Sequence, residues 1–486
     1  MLSNIDTMRI EASSRLHPTR KSALGQFMTP NSIAEFMVSL FDKLYNNIRL
    51  LDAGAGIGSL ALAFLDKSFP NASSIHIDAW EVEQILLPYL KSNLIHYQKE
   101  AMHKGSLVQF NIHDDDFIES AVLSLVAKRN SHYTHCIINP PYKKISSDSK
   151  HRFLLRKIGI ETVNLYTAFL ALCILLLQSK GQMVAIVPRS FCNGTYYKPF
   201  RRFLLETCCI SHIHVFGSRK KAFKDEGVLQ ENIIIKLIKN HPQSKIRIST
   251  SHDDSLSDYN VREIEANEVI MQKEFDFFIH IPTEPKPVTN SPLFENILSQ
   301  ISLGVSTGPV VDFRVKKYCS NKPNGKSVPL LYPQHFSNGE LTHPKEIKKP
   351  SWITVNAETI KWLMPKGFYT LVKRFSAKEE KRRIVAYVVN PHELAGDYFG
   401  FENHFNVFHV NKHEIDENMA YGLALFLNSS LVDNYFRTFS GHTQVNANDL
   451  RLIKYPSKRL LMELGRKYKH KKLTQSQIDQ AISQHE

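Results

Sequence analysis

The stretch "IINPPYKKI" (137–145) sets an asparagine, two prolines and a tyrosine directly after a short β-like run. Proline cannot continue a hydrogen-bonded ladder, so the strand stops at a rigid, exposed edge suited to holding a ligand, although a plain rigid loop has the same composition. Three more strand ends carry polar groups. In "LLDAGAGIGSLALAF" (50–64), Gly54, Gly56 and Gly58 let the backbone approach a ligand closely, and Asp52 at the strand end can accept hydrogen bonds. "AWEVE" (79–83) puts Glu81, or alternatively Glu83, where a carboxylate can grip ribose hydroxyls. "NIHDDDFI" (111–118) offers Asp116 and Phe117 for an adenine amino group and an adenine face. Each acid alone reads as a solvated loop charge; three in register at successive strand ends do not. A nicotinamide dinucleotide is disfavoured, because the glycines do not follow G-x-G-x-x-G and Asp52 would repel a pyrophosphate.

These strand ends need a sheet to align them. Between residues 48 and 240 the runs "IRLLDAG", "SIHIDAWE", "LVQFNIH", "HCIINPP", "GQMVAIVP", "ISHIHVF" and "ENIIIKLI" alternate with helical patterns at 58–68, 83–100, 118–129 and 164–179. That order predicts a doubly wound, Rossmann-like α/β sheet. The four prolines of "IPTEPKPVTNSP" (281–292) read as a linker. The expected organisation is a catalytic domain over 1–240, a connector over 241–292, and a C-terminal mixed domain over 293–486.

The net charge of +14 is unevenly spread: 29 Lys and Arg against 20 Asp and Glu in 1–240, 5 against 9 in 241–290, and 27 against 18 in 291–486. Two basic lobes about an acidic connector suit a polyanion, the plainer reading being a solvated surface. The longest apolar run, "LYTAFLALCILLL" (165–177), is too short to cross a bilayer, and no signal peptide opens the chain, so no membrane partner is expected. The six cysteines show no C-x-x-C pairing, which points to a reducing cytoplasm and away from zinc. "HYTHC" (132–136) reads as surface and core, and no metal is expected.

"GQFMTP" (25–30), "LDAGAG", "DDDF" (114–117) and "NPPY" (139–142), in that order, resemble the S-adenosylmethionine-dependent N6-adenine DNA methyltransferases of the gamma arrangement. "VAIVPRSFCNGTYYKPFR" (184–201), "VSTGPVVDFR" (305–314), "KRFSAKEEKRR" (373–383) and "SGHTQVNANDLRLIKYP" (440–456) are similar to the modification methylases of the PstI and BsuBI type. The resemblance implies S-adenosylmethionine as cofactor, duplex DNA as substrate, and a restriction endonuclease as functional partner. It implies cofactor contacts from Thr29, Pro30, Asp52, Gly54, Gly56, Glu81, Asp116, Phe117 and Asn139. Catalysis falls to Asn139, Pro140, Pro141 and Tyr142. The Asn139 side-chain oxygen and the Pro140 carbonyl would accept the hydrogens of an exocyclic adenine amine and direct its lone pair at the methyl sulfonium. Tyr142 would stack on the flipped base, an interaction worth about 1–3 kcal/mol, which helps offset the cost of extrusion.

Phe223 matches the family's aromatic on the other face of that base, with Phe216 as a rival and a core role open for both. Arg451 and Lys454 suit phosphates and base edges, or an ordinary turn and cap. The basic tail "RKYKHKK" (466–472) reads as a phosphate-grazing or solvated face. Two alternatives stay open: methylation of another planar nitrogen, in RNA or a protein glutamine, and a DNA-binding subunit without catalysis. A fused nuclease is not expected, since only a lone "EIK" (346–348) resembles its motif. The subgroup implies the palindrome CTGCAG, and a monomer would suffice.

Overall fold

The computed structural model describes the chain except residues 1, 17–27, 43–45, 69–71, 104, 129–131, 218–230, 274–275, 283–290, 338, 377–379, 440–443 and 486. It divides into two compact units, Met1–Thr283 and Glu284–Glu486.

The first unit is built on one nine-stranded sheet. Its strands are β1 (Asn47–Ala53), β2 (Ser74–Trp80), β3 (Leu107–His113), β4 (Tyr133–Ile138), β5 (Leu177–Pro188), β6 (Cys208–Phe216), β7 (Asn232–Lys239), β8 (Ile246–Ser251) and β9 (Asn260–Ile264). Their order is 3-2-1-4-5-7-6-8-9. Strands β1 to β5 pair in parallel, whereas β7 runs antiparallel between β5 and β6. The order reverses between β1 and β4, which opens a crevice at their carboxyl ends.

Alternation along the central strands divides the core in two. Leu51, Ala53, Met183, Ala185, Val187, Ile233 and Ile235 face one layer, and Leu50, Val184, Ile186 and Ile234 face the other. Such doubly buried strands read as continuous apolar runs. Helices α1 (Leu2–Arg15), α2 (Asn31–Ser39), α3 (Ser59–Ser68) and α4 (Leu87–His103) contribute to the second layer. Helices α5 (Phe117–Val126), α6 (Lys150–Lys157), α7 (Leu165–Leu176) and α8 (Lys198–Thr207) contribute to the first. The sheet is thus doubly wound, as its strand and helix pattern implies.

All seven expected strands and all four expected helices are present. The boundary differs from the expected one: the acidic segment after residue 240 supplies β8, parallel to β6, and β9, antiparallel to β8. Ile246, Ile248 and Ile264 are buried in the core of the first layer, which draws this segment into the first unit. Most of the proline-rich linker lies outside the described residues.

The second unit holds a four-stranded antiparallel sheet (304–307, 405–409, 369–373, 386–389) and a five-stranded mixed sheet (319–320, 352–354, 327–331, 398–401, 363–365). Its helices at 417–427 and 458–468 cross at Gly422 and Gly465, where a Cβ on either residue would collide with the backbone carbonyl of Leu461 or Asn418 on the facing helix. Among the described residues, no helix is long and apolar enough to cross a membrane.

Candidate active site

The glycine turn after β1 is shaped by positive φ at Gly54 (84°), Gly56 (60°) and Gly58 (91°), which L-residues rarely adopt. It is anchored from two sides. The Gly54 and Ala55 N–H groups donate to the Trp80 carbonyl at 2.9 and 2.8 Å, and the Gly56 N–H donates to Glu81 Oε2 at 2.8 Å. The other Glu81 oxygen accepts from the Glu83 N–H at 2.7 Å. Burial pushes the Glu81 carboxyl upward from its ordinary pKa, and these backbone donors oppose that shift.

Above the turn lies a cleft of about 1140 Å³, its open mouth included. Thr29, Gly54, Gly56, Glu81, Asp116, Phe117, Asn139 and Pro141 line it, so strand ends β1 to β4 converge on one space. Trp80, His151, Phe169 and Met28 also line it, and the sequence reading missed all four. Trp80, which ends β2 beside Glu81, carried the one local signal. The Phe117 ring sits edge-on to Trp80 at 5.4 Å and tilted against Phe169 at 5.0 Å, giving the cleft an aromatic wall.

Asp116 caps α5, accepting from the Glu119 N–H at 3.1 Å, while its other oxygen lies 2.9 Å from His151 Nε2. Burial alone raises its pKa, but the bonds from His151 and the helix terminus outweigh it and hold the carboxyl below its usual range. Asp116, Glu119 and His151 gather ligand-type atoms within 4.8 Å of one another. Lys150 lies 2.5 Å from Glu119 and His151 2.9 Å from Asp116, so each acid of the cluster has a basic partner.

At the other end of the cleft, Asn139 Nδ2 donates to Thr29 Oγ1 at 3.0 Å, and the Tyr142 hydroxyl donates to Asn139 Oδ1 at 2.9 Å. The amide therefore has a fixed orientation. Tyr142 also reaches the Ile186 carbonyl at 3.2 Å, and its ring meets the edge of Tyr166 at 6.2 Å. It is only 7 % exposed. Its ring face, expected to receive a base, is covered in this arrangement because both hydroxyl bonds draw the ring inward.

Asp52 also departs from expectation. Its carboxyl is fully buried, does not line the cleft, and is pushed by desolvation up to about 8, so near neutral pH it is mainly protonated. Pro30 is buried at the N-cap of α2, outside the cleft lining, and Pro140 is buried behind Asn139. Phe216 belongs to the core, 4 % exposed, and Phe223 lies outside the described residues. In the second unit Arg451 and Lys454 are exposed at a helix end; Arg451 spends two bonds on the protein, to Asn448 Oδ1 at 2.5 Å and the Val305 carbonyl at 2.6 Å.

Residues 57–223 match the Eco57I restriction-modification methylase family. The chain is 48 % identical over 478 residues to type II methyltransferase M.BsuBI of Bacillus subtilis, covering 96 % of this chain and 94 % of that one. It is 41 % identical over 488 residues to type II methyltransferase M.PstI of Providencia stuartii, covering 99 % and 96 %. Similar solved structures include a Listeria monocytogenes protein described as a class I S-adenosylmethionine-dependent methyltransferase (TM-score 0.40, 12 % identity, 52 % of this chain and 73 % of that one). A DrdV–DNA complex has TM-score 0.48 and 11 % identity, over 93 % and 57 %. S-adenosylmethionine is the cofactor, and the cleft fits it: a Cβ on Gly56 would meet open space, a buried carboxylate stands at Glu81, and an aromatic wall adjoins the Asp116 acceptor. With two such relatives along its full length, the chain belongs to the type II methyltransferases of restriction-modification systems, beside M.BsuBI and M.PstI.

Proposed function

We propose that this chain methylates N6 of an adenine flipped out of duplex DNA within a short site, in the cytoplasm, and so shields host DNA from a cognate restriction endonuclease. The observation that carries the reading is the Asn139 amide, held by Thr29 at one end and Tyr142 at the other, on the rim of the cofactor cleft.

Glu81 grips the ribose hydroxyls of the cofactor, Asp116 accepts from its adenine amino group, and Phe117 with Trp80 covers its ring. Thr29, Gly54 and Gly56 border its methionine end, with Pro30 next to Thr29 at the N-cap of α2. Bound S-adenosylmethionine supplies an electrophilic methyl on a sulfonium. The chain's own task is to make a poor nucleophile competent. An exocyclic amine delocalises its lone pair into the ring; when Asn139 Oδ1 and the Pro140 carbonyl accept its two hydrogens, the nitrogen becomes tetrahedral and the lone pair is freed. A carbonyl oxygen has two lone pairs, so Oδ1 has the capacity to accept from both Tyr142 and the amine. Pro140 and Pro141 hold the acceptors rigid. Residues 284–486 read the target, with Lys454 and Arg451 at the phosphates.

Tritiated methyl transfer to duplex DNA, RNA and protein in parallel tests the substrate. Label in DNA adenine supports the reading; label in cytosine, RNA or protein overturns it. Sequencing methylation marks in a host expressing the chain gives the site, for which CTGCAG is the expectation.

A further inference from the structure

His151 comes from α6 and lies twelve residues beyond Asn139 in the chain, yet it lines the same cleft and touches the carboxylate at the opposite strand end. Both Asp116 oxygens are engaged, one by the Glu119 N–H and one by the imidazole. The N-terminal N–H groups of α5 hold the carboxylate from one side; the imidazole bond holds its other oxygen and so limits rotation about the side-chain torsion. The segment that carries the imidazole is itself tied down. Ile145 N–H donates to the Val163 carbonyl at 2.9 Å, Leu165 N–H to the Lys143 carbonyl at 2.8 Å, and the Ser149 hydroxyl caps α6 by accepting from the Arg152 N–H at 3.3 Å.

We propose that His151 is a positioning residue for the cofactor: it clamps the Asp116 carboxylate for the ligand's amino group and ties cofactor capture to the order of the segment that follows the Asn139–Tyr142 loop. The proposal rests on the assignment of this cleft to S-adenosylmethionine and on nothing about the methylated base.

The charges facing His151 set the direction of its pH response. Asp116 and Glu119 face it from the α5 side, and Lys150 is its neighbour on α6. The Asp116 bond, opposed by burial and by Lys150, raises the imidazole above its ordinary pKa. As pH rises through that raised value the bond loses its charge assistance, so cofactor affinity falls.

Isothermal titration of the full chain with S-adenosylhomocysteine, without DNA, reads this directly. His151→Ala weakens binding about tenfold at pH 6, in keeping with loss of one charge-assisted hydrogen bond. His151→Gln keeps a neutral donor, restores most of the affinity, and lacks the wild-type weakening between pH 6 and 8.5. Hydrogen exchange at residues 143–158 slows on ligand binding in the wild type and not in His151→Ala. Wild-type affinity in His151→Ala, or an equal loss at both pH values in the Ala and Gln variants, overturns the proposal. Gly54→Val, checked for folding by circular dichroism, separates the two ideas. If it binds as wild type, the cleft assignment fails; if it loses binding while His151→Ala keeps it, only the role of His151 fails.

Discussion

The two ends of the cleft are built from opposite materials. At the β4 end Thr29, Asn139 and Tyr142 form a chain of neutral hydrogen bonds, with the tyrosine hydroxyl kept protonated by burial. At the β3 end Asp116 meets His151, a pair whose strength depends on charge. Neutral bonds hold one geometry across a wide pH range, whereas a charged pair tunes how tightly a ligand is retained. Under the proposed function the difference would separate two duties: the neutral end would govern how fast a bound substrate reacts, and the charged end how readily the cofactor is captured. Asp52, a third acid near the same strand ends, belongs to neither because burial keeps its proton on.

Substitutions at each end sharpen or break this division. The largest effect is expected from Asn139→Ala, which removes the acceptor for the amine: methyl transfer falls by about a thousandfold or more, while cofactor affinity measured by equilibrium dialysis stays near wild type. A matching loss of affinity would merge the two ends. Tyr142→Phe deletes the bond that orients the amide, and single-turnover rates should drop by about tenfold with little change in cofactor retention. Asp116→Asn keeps a competent helix cap but loses the ionised acceptor; cofactor binding weakens by roughly tenfold, and turnover at saturating cofactor recovers. Turnover that stays low at saturation would place Asp116 in the chemistry.

The smallest effect on activity is expected at Asp52. Its folded pKa, raised from 3.8 to about 8, means that the folded chain retains a proton which the unfolded chain releases. Between about pH 4 and 8 this group's contribution to stability therefore falls as pH rises, by roughly a few kcal/mol at most. Asp52→Asn should flatten that slope in thermal melts across this window and leave cofactor affinity within about twofold of wild type. An unchanged slope would mean that the acid is ionised in the fold.

Much of this was legible because the central strands are buried on both faces and announce themselves as unbroken apolar runs. Glu81, Asp116, Phe117 and Asn139 could be found by counting to strand ends. Strand β8 and the edge strand β9 were hidden: "IRISTS" and "NVREI" mix polar and apolar residues and sit in an acidic stretch that reads as connector. His151 left no local trace, since only the return of α6 over the cleft brings it to Asp116. Tyr142 was assigned by type to stacking, yet its hydroxyl bonds turn it toward the amide. In the second unit the strands are two to five residues long and their partners lie far apart in sequence, so no periodicity could build up.

The glycine crossing of the helices at 417–427 and 458–468 has a consequence for how this C-terminal region can change over time. Most packing defects can be repaired by trimming a neighbour, but here each glycine already abuts main chain, and nothing smaller exists to substitute on either side. Drift at these two positions is therefore all or none: a single added methyl wedges the pair apart, with no graded series of weaker variants through which lineages could pass.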